Sequence, residues 1–144
     1  MTRKTDLANA NLANANLAQD DLTDANLTGA NLRGATLKGT RLHDADLTAA
    51  DLSRDNLAGA DLSGATLRRA TLAGADLRGA DLTETDLAEA DLHGANLTGA
   101  NPERARSLAG ANFHGATGLS DTQRDACAEK WAVIDGAAPE PGAD

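Results

Sequence analysis

The most regular feature of the sequence is a leucine at every fifth position, from Leu7 to Leu97 without a gap. Alanine usually stands two residues before each leucine, aspartate or asparagine usually stands one residue before it, and glycine often stands two residues after it. The alanine position is occupied by another residue in five units: Thr5, Asp20, Thr40, Asp55 and Thr85. The chain therefore repeats the unit A-[D/N]-L-x-x nineteen times.

A period of five excludes the two standard elements. On an α-helix, five residues advance by about 500°, so successive leucines would surround the axis. In a straight strand they would alternate between the two faces, because five is odd. The leucines share one interior only if the chain turns a corner in every unit, where glycine tolerates a positive φ. The pattern thus predicts an all-β solenoid, with alanine and leucine pointing inward and the residue between them pointing outward.

The units at 25–29 and 75–79, which read ANLTG and ADLRG, resemble those of the pentapeptide-repeat family, and the resemblance extends over residues 5–101. It implies a right-handed quadrilateral parallel β-helix of about five coils, with four units per coil and coils about 4.8 Å apart. The structural core expected from this arrangement includes Leu7, Leu27, Leu47, Leu67, Leu87 and Phe113.

The repeat breaks at Pro102, which stands where a leucine is due. Asn-Pro is a turn signal, and Leu108 and Phe113 then follow with the phase shifted by one residue. We interpret residues 102–118 as a distorted last coil. Residues 1–4 are expected to form an N-terminal tail, and residues 137–144 a disordered C-terminal tail.

Residues 119–136 are predicted to form a C-terminal capping α-helix. Ser120 and Gln123 match a capping box, and Cys127, Trp131 and Ile134 follow at helical spacing. This apolar stripe is expected either to cover the end of the solenoid or to form a homodimer contact. Between residues 8 and 18 the outward positions of the first coil hold only alanine and asparagine, and its backbone is not covered by another coil. At this N-terminal end too, the chain is expected to associate with a copy of itself.

Two aspartates occupy inward alanine positions, where an unpartnered carboxylate is unfavourable. Asp20 lies one coil before Thr40, so a hydrogen bond between their side chains is expected. Asp55 falls between Ala35 and Ala75, which offer no side-chain partner. A local bulge or an outward rotation is therefore expected at Asp55.

Charge and composition exclude several classes of function. The formal net charge of −9 and the pI of about 4.6 argue against direct binding of nucleic acid. The single Cys127 excludes an intramolecular disulfide and fits a reducing compartment. Neither a transmembrane run nor the apolar core of a signal peptide is present in the sequence, so we expect a cytoplasmic protein without membrane contact.

The sequence offers no catalytic constellation. His43, His93 and His114 fall on different sides or ends of the predicted solenoid, so they are not expected to share a metal ion. No nucleotide-binding or nucleophile motif is found. We therefore expect a protein that is not an enzyme and that needs no cofactor.

One side of the predicted solenoid is distinctly acidic. It carries six carboxylates against Arg41, namely Asp21, Asp24, Asp44, Asp61, Asp81 and Glu84. These charges would keep the protein soluble, or they would bind a protein partner with a basic surface. Some members of the pentapeptide-repeat family protect DNA gyrase from quinolones or toxins by resembling DNA, but the acidic side has one charge per about 4 Å where duplex DNA has one per about 1.7 Å. A non-catalytic scaffold is the first interpretation, and an acidic DNA mimic that binds a topoisomerase is the alternative.

Overall fold

The computed structural model describes residues 4–135. The predicted C-terminal tail (137–144) and most of the N-terminal one (1–4) lie outside these residues. Within them the chain forms a solenoid held by parallel β-bridges between residues twenty apart, as in Asp6 to Asn26 and Asn26 to Asp46. Four such bridged residues occur in every twenty, at intervals of five. Each is an isolated bridge, and no longer strand is formed in the described part of the chain.

The corners of the solenoid explain the glycine preference. The residue two positions after each of the nineteen leucines has a φ between +57° and +76°, as the repeat predicted. Glycine adopts this left-handed conformation without a steric penalty. The N–H of the residue after this corner position closes the turn by donating to the leucine carbonyl, as from Ala30 to Leu27 at 3.0 Å.

A second local feature explains why aspartate or asparagine precedes leucine. The side-chain oxygen of this residue accepts the N–H of the residue after the leucine, as in Asn26 to Thr28 at 3.1 Å and Asp61 to Ser63 at 2.9 Å. This Asx turn fixes the approach to each corner. The repeat pattern predicted only the outward direction of these residues and not their hydrogen bonds.

The core is a column of leucine and alanine side chains. Leu27, Leu47, Leu67 and Leu87 are fully buried, and Phe113 closes the column near its C-terminal end at 1% exposure. Leu7 is only half-buried. Leu7 is therefore less buried than expected for a core residue, because no other coil precedes its coil among the described residues.

The break at Pro102 adds one residue to a coil. Pro102–Arg104 form a 3-10 helix, and the pairing offset beyond it becomes twenty-one, as in Asp86 to Ser107 and Asn96 to Thr117. The Asn101 side chain accepts the N–H of Leu82 at 2.6 Å, where a backbone carbonyl would do so in a regular coil. The distortion expected over 102–118 is thus limited to the 3-10 helix, and the later residues of this segment form β-bridges at intervals of five.

The α-helix that follows, α1, spans Asp121–Glu129 and is shorter than the predicted 119–136. Ser120 and Gln123 form the expected capping box. Trp131, which has a φ of +69°, lies beyond the helix. The chain then returns to the solenoid, where Val133 forms a parallel bridge with Asn112. The longer helix predicted from the spacing of Cys127, Trp131 and Ile134 was wrong, because Trp131 and Ile134 lie on either side of the bridged residue Val133.

No helix in residues 4–135 has both the length and the apolar character needed to cross a membrane.

Candidate interaction surface

The structure places the six carboxylates of the acidic side at two kinds of position on successive coils. Asp21, Arg41, Asp61 and Asp81 form one ladder of bridged residues. Asp24, Asp44 and Glu84 occupy the left-handed corner position that follows on the same side. All six carboxylates are exposed except Asp61, which is half-buried. The backbone thus aligns them along the solenoid axis.

Local hydrogen bonds favour the ionised form of the ladder carboxylates. Hydrogen bonds from the Thr23 side chain and backbone lower the pKa of Asp21, and those from Thr83 lower the pKa of Asp81. Arg41 and Arg104 add smaller effects in the same direction. Both carboxylates therefore carry a full negative charge at neutral pH.

Arginine offsets part of this charge, because an Arg41 nitrogen lies 3.8 Å from an Asp21 oxygen. His43 Nε2 lies 3.1 Å from Asp44 Oδ2. Arg104 was missing from the sequence-based assignment because it lies in the 3-10 helix, outside the regular repeat, and its charge acts on Asp81 from there. It adds a positive charge that the repeat pattern does not show.

The Asx turn does not by itself require aspartate on this side. Asn26, Asn31 and Asn96 accept the same N–H bond elsewhere in the solenoid, each at 3.1 Å. An amide oxygen is therefore a sufficient acceptor for the turn. The turn does not by itself account for aspartate at all three of Asp21, Asp61 and Asp81.

The three residues of the predicted cap or dimer contact are not one stripe. Cys127 lies on α1 and is fully buried, and burial together with the Glu103 charge raises the pKa of its thiol to about 12. Trp131 is 55% exposed, and Ile134 is half-buried. Only Trp131 is therefore available to a partner over most of its surface.

His93 and His114 occupy the same position of successive coils, because Asp91 and Asn112, two residues before them, are bridged, and the Gly94 N–H donates to the His114 carbonyl at 3.0 Å. The expectation that the histidines fall on different sides or ends was therefore wrong for this pair, since the residue inserted at Pro102 shifts the register by one.

Each histidine lies beside a different aspartate. His43 lies next to Asp44, His93 next to Asp91, and His114 next to Asp135. Three or more potential metal ligands do not come together anywhere in residues 4–135.

The predictions for both aspartates in alanine positions were wrong. Asp20 is exposed, and the Thr40 hydroxyl donates to the carbonyl of Leu17 at 2.8 Å instead of to Asp20. Asp55 is 1% exposed and points inward, with neither a bulge nor an outward rotation. The ladder continues through its neighbour Asn56, which bridges Thr36 and Asp76 in regular register.

The Asp55 carboxyl is incompletely hydrogen-bonded. Its Oδ1 accepts the Ala35 N–H at 3.0 Å, while Oδ2 is buried without a partner. Burial raises the pKa of Asp55 to about 8, the Ala35 N–H opposes the rise, and the Asp51 charge adds to it. The carboxyl is therefore mostly protonated at neutral pH.

Comparison with known proteins identifies the repeat. The family profile described as pentapeptide repeats matches residues 3–39, 21–54, 50–87, 67–101 and 85–117. A pentapeptide repeat protein of the Arabidopsis thaliana thylakoid lumen shares 34% identity with a TM-score of 0.55, over 85% of this chain and 74% of that one. One from Nostoc PCC 7120 shares 26% identity with a TM-score of 0.47, over 90% and 84% of the two chains.

A more distant similarity is to QnrB1, a plasmid-mediated fluoroquinolone resistance protein. It shares 17% identity with a TM-score of 0.31, over 67% of this chain and 62% of that one. Comparison with curated proteins gives no match. The matches to pentapeptide-repeat proteins imply that the solenoid is a right-handed β-helix.

Proposed function

The chain belongs to the pentapeptide-repeat family, and from this premise we propose that it is a non-catalytic scaffold whose acidic side binds a protein with a basic surface. The observation that carries the proposal is the choice of aspartate at Asp21, Asp61 and Asp81. The Asx turn at these positions needs only a side-chain oxygen, which asparagine supplies elsewhere in the same solenoid.

The geometry of the acidic side suits a rigid electrostatic contact. Asp61 and Asp81 are bridged neighbours on successive coils, without an arginine between them. Backbone hydrogen bonds between coils hold this spacing, as from Leu62 to Asp81 at 2.9 Å. A partner with similarly spaced lysine or arginine side chains would gain complementarity and faster association, and both would weaken at high salt.

We further propose that the solenoid is quadrilateral, that it has about five coils, and that α1 closes its C-terminal end. The contacts of the helix favour this arrangement. Gln123 Nε2 donates to the Ala100 carbonyl at 3.0 Å, and Lys130 Nζ donates to the Ala105 carbonyl at 2.6 Å. Cys127 completes the same core that Phe113 enters.

The proposal predicts that neutralising the acidic ladder abolishes partner binding without loss of the fold. The variant Asp21→Asn, Asp61→Asn, Asp81→Asn keeps a side-chain oxygen for each turn. Affinity capture with immobilised protein, followed by binding measurements on the captured proteins in purified form, should give partners that bind the wild type and are lost by this variant. Their affinity should fall with added salt.

The matched control changes three aspartates on the other sides that form the same turn, in the variant Asp46→Asn, Asp76→Asn, Asp91→Asn. It alters the net charge equally, so it should retain the partners. The role of the acidic side would be contradicted if a partner bound the wild type and both variants with the same affinity. Equal losses of affinity in the two variants would contradict it as well.

The alternative function is an acidic DNA mimic that binds DNA gyrase. The adjacent carboxylates of Asp61 and Asp81 favour it, while the interruption of the ladder by Arg41 disfavours it. The two functions differ in a gyrase supercoiling assay with and without a quinolone. The scaffold proposal predicts neither inhibition nor rescue at micromolar protein. Inhibition or rescue that disappears in the acidic-ladder variant and persists in the control variant would instead establish the DNA mimic.

A further inference from the structure

The least expected group in the molecule is the carboxyl of Asp55 in the middle of the core. It replaces the alanine that stands at the equivalent position of the coils before and after it, Ala35 and Ala75. One carboxyl oxygen accepts a single hydrogen bond, of 3.0 Å, and the other accepts none. An ionised carboxylate would be strongly destabilised in this environment, because a buried charge needs full hydrogen bonding or a counter-ion.

The charged groups around Asp55 lie on three coils. Asp51 and Arg54 are on its own coil, Arg33 is on the coil before, and Asp76 is on the coil after, where it pairs with Arg78 at 2.7 Å. Asp51 is the charge that acts most strongly on the Asp55 carboxyl, and it opposes ionisation. The buried position therefore holds the neutral acid.

Two grooves lie at the surface next to the residues that precede Asp55 in the chain. Arg33 and Arg54 border a shallow groove of about 410 Å³ that Ser53 and His93 also line. Within residues 4–135 neither arginine forms an ion pair. Gly34 precedes Ala35, the hydrogen-bond donor to Asp55, and lines an adjoining groove with the same two arginines.

We propose that Asp55 is a proton-controlled latch in the solenoid. When protonated, its side chain stays in the core and the coil is closed. When ionised, it moves outward toward Arg33 and Arg54, and the corner formed by residues 52–56 opens together with the Gly34–Ala35 peptide that it contacts.

The direction of the pH dependence follows from the two environments. In the open corner the carboxyl is hydrated and has an ordinary pKa of about 4, whereas the pKa in the closed corner is about 8. Between these values opening releases a proton, so each unit of pH raises the opening equilibrium about tenfold. Above the pKa of the closed state the carboxyl is ionised in both states, and the dependence levels off.

Amide hydrogen exchange tests this latch. Protection factors, which are corrected for the intrinsic pH dependence of exchange, should be measured for the full chain between pH 5 and pH 9. Those of peptides covering residues 33–36 and 52–56 are expected to fall about tenfold per pH unit up to about pH 8 and then to level off. Protection at residues 87–97 should change much less. Protection factors at the corner that do not change with pH, or protection factors that fall equally along the whole chain, would overturn the proposal.

Three variants complete the test. Asp55→Asn keeps a neutral polar group in the core and should remove the pH dependence, whereas Asp20→Ala changes an exposed aspartate at the same repeat position and should retain it. Replacing Arg33 and Arg54 with glutamine should raise protection of the corner at pH 7 about two- to fivefold, if each arginine stabilises the released carboxylate as a surface ion pair does. A pH dependence that persists in Asp55→Asn would refute the latch, and unchanged protection in the arginine variant would refute the outward path.

Discussion

At pH 7, the Asp55→Ala variant is expected to be more stable than the wild type by about 2–4 kcal/mol. Folding transfers the carboxyl from water to an apolar site with one hydrogen bond and leaves Oδ2 unsatisfied. Alanine removes this desolvation penalty and restores the residue found at the same position of the neighbouring coils. No orphan donor is created, because the Ala35 N–H keeps its bond to the Leu32 carbonyl at 2.8 Å.

The gain should depend on pH with a definite sign. The folded-state pKa of Asp55, about 8, exceeds the unfolded value, so wild-type stability is fully present below about pH 4 and is lost as the pH rises toward 8. The advantage of the alanine variant should therefore grow over this interval. Urea unfolding at pH 4.5, 6, 7 and 8 measures it.

Asp20→Ala is the matched control because Asp20 occupies the same position of the repeat but is exposed. Its effect on the free energy of unfolding should stay within about 0.5 kcal/mol, as is usual for surface substitutions. An Asp55→Ala variant that is less stable than the wild type at pH 7 would show that the buried carboxyl stabilises the coil. A difference that does not change with pH would contradict the raised pKa of Asp55 in the folded state.

The Leu67→Ala variant is expected to lose about 3–5 kcal/mol of unfolding free energy. Leu67 is fully buried, and Leu47 and Leu87 occupy the same position on the coils before and after it. Hydrogen bonds between coils limit the collapse of the cavity, since the Leu47 N–H donates to Thr66 and the Leu67 N–H donates to Asp86, both at 2.7 Å. Urea unfolding followed by circular dichroism gives the loss.

Leu7→Ala is the control for this measurement, because Leu7 has the same repeat position and is only half-buried. Its loss should be about 1 kcal/mol, in proportion to the smaller apolar area that folding removes from water. Equal losses for the two variants would mean that the first coil is covered in solution, for example by a second copy of the chain.

The repeat determined the architecture by itself, because each of its rules acts within a few residues. Leucine at every fifth position is compatible with a common interior only if the backbone turns once per unit, and the left-handed corner after each leucine confirms this geometry. The residue inserted at Pro102 was visible as a shift of phase, and it changes the pairing offset by one. Membership of the pentapeptide-repeat family followed from the same pattern.

The tertiary structure decided which repeat positions are covered and which charges are neighbours. Asp20 and Asp55 are equivalent in the repeat, yet Asp20 is exposed in a coil that no described coil precedes, while Asp55 is enclosed by coils on both sides. The charge of Arg104 acts on Asp81 because the 3-10 helix interrupts the repeat, and Trp131 leaves the helical pattern because Val133 pairs with the last coil. Burial and electrostatics depend on residues about twenty positions away, so no local pattern contains them.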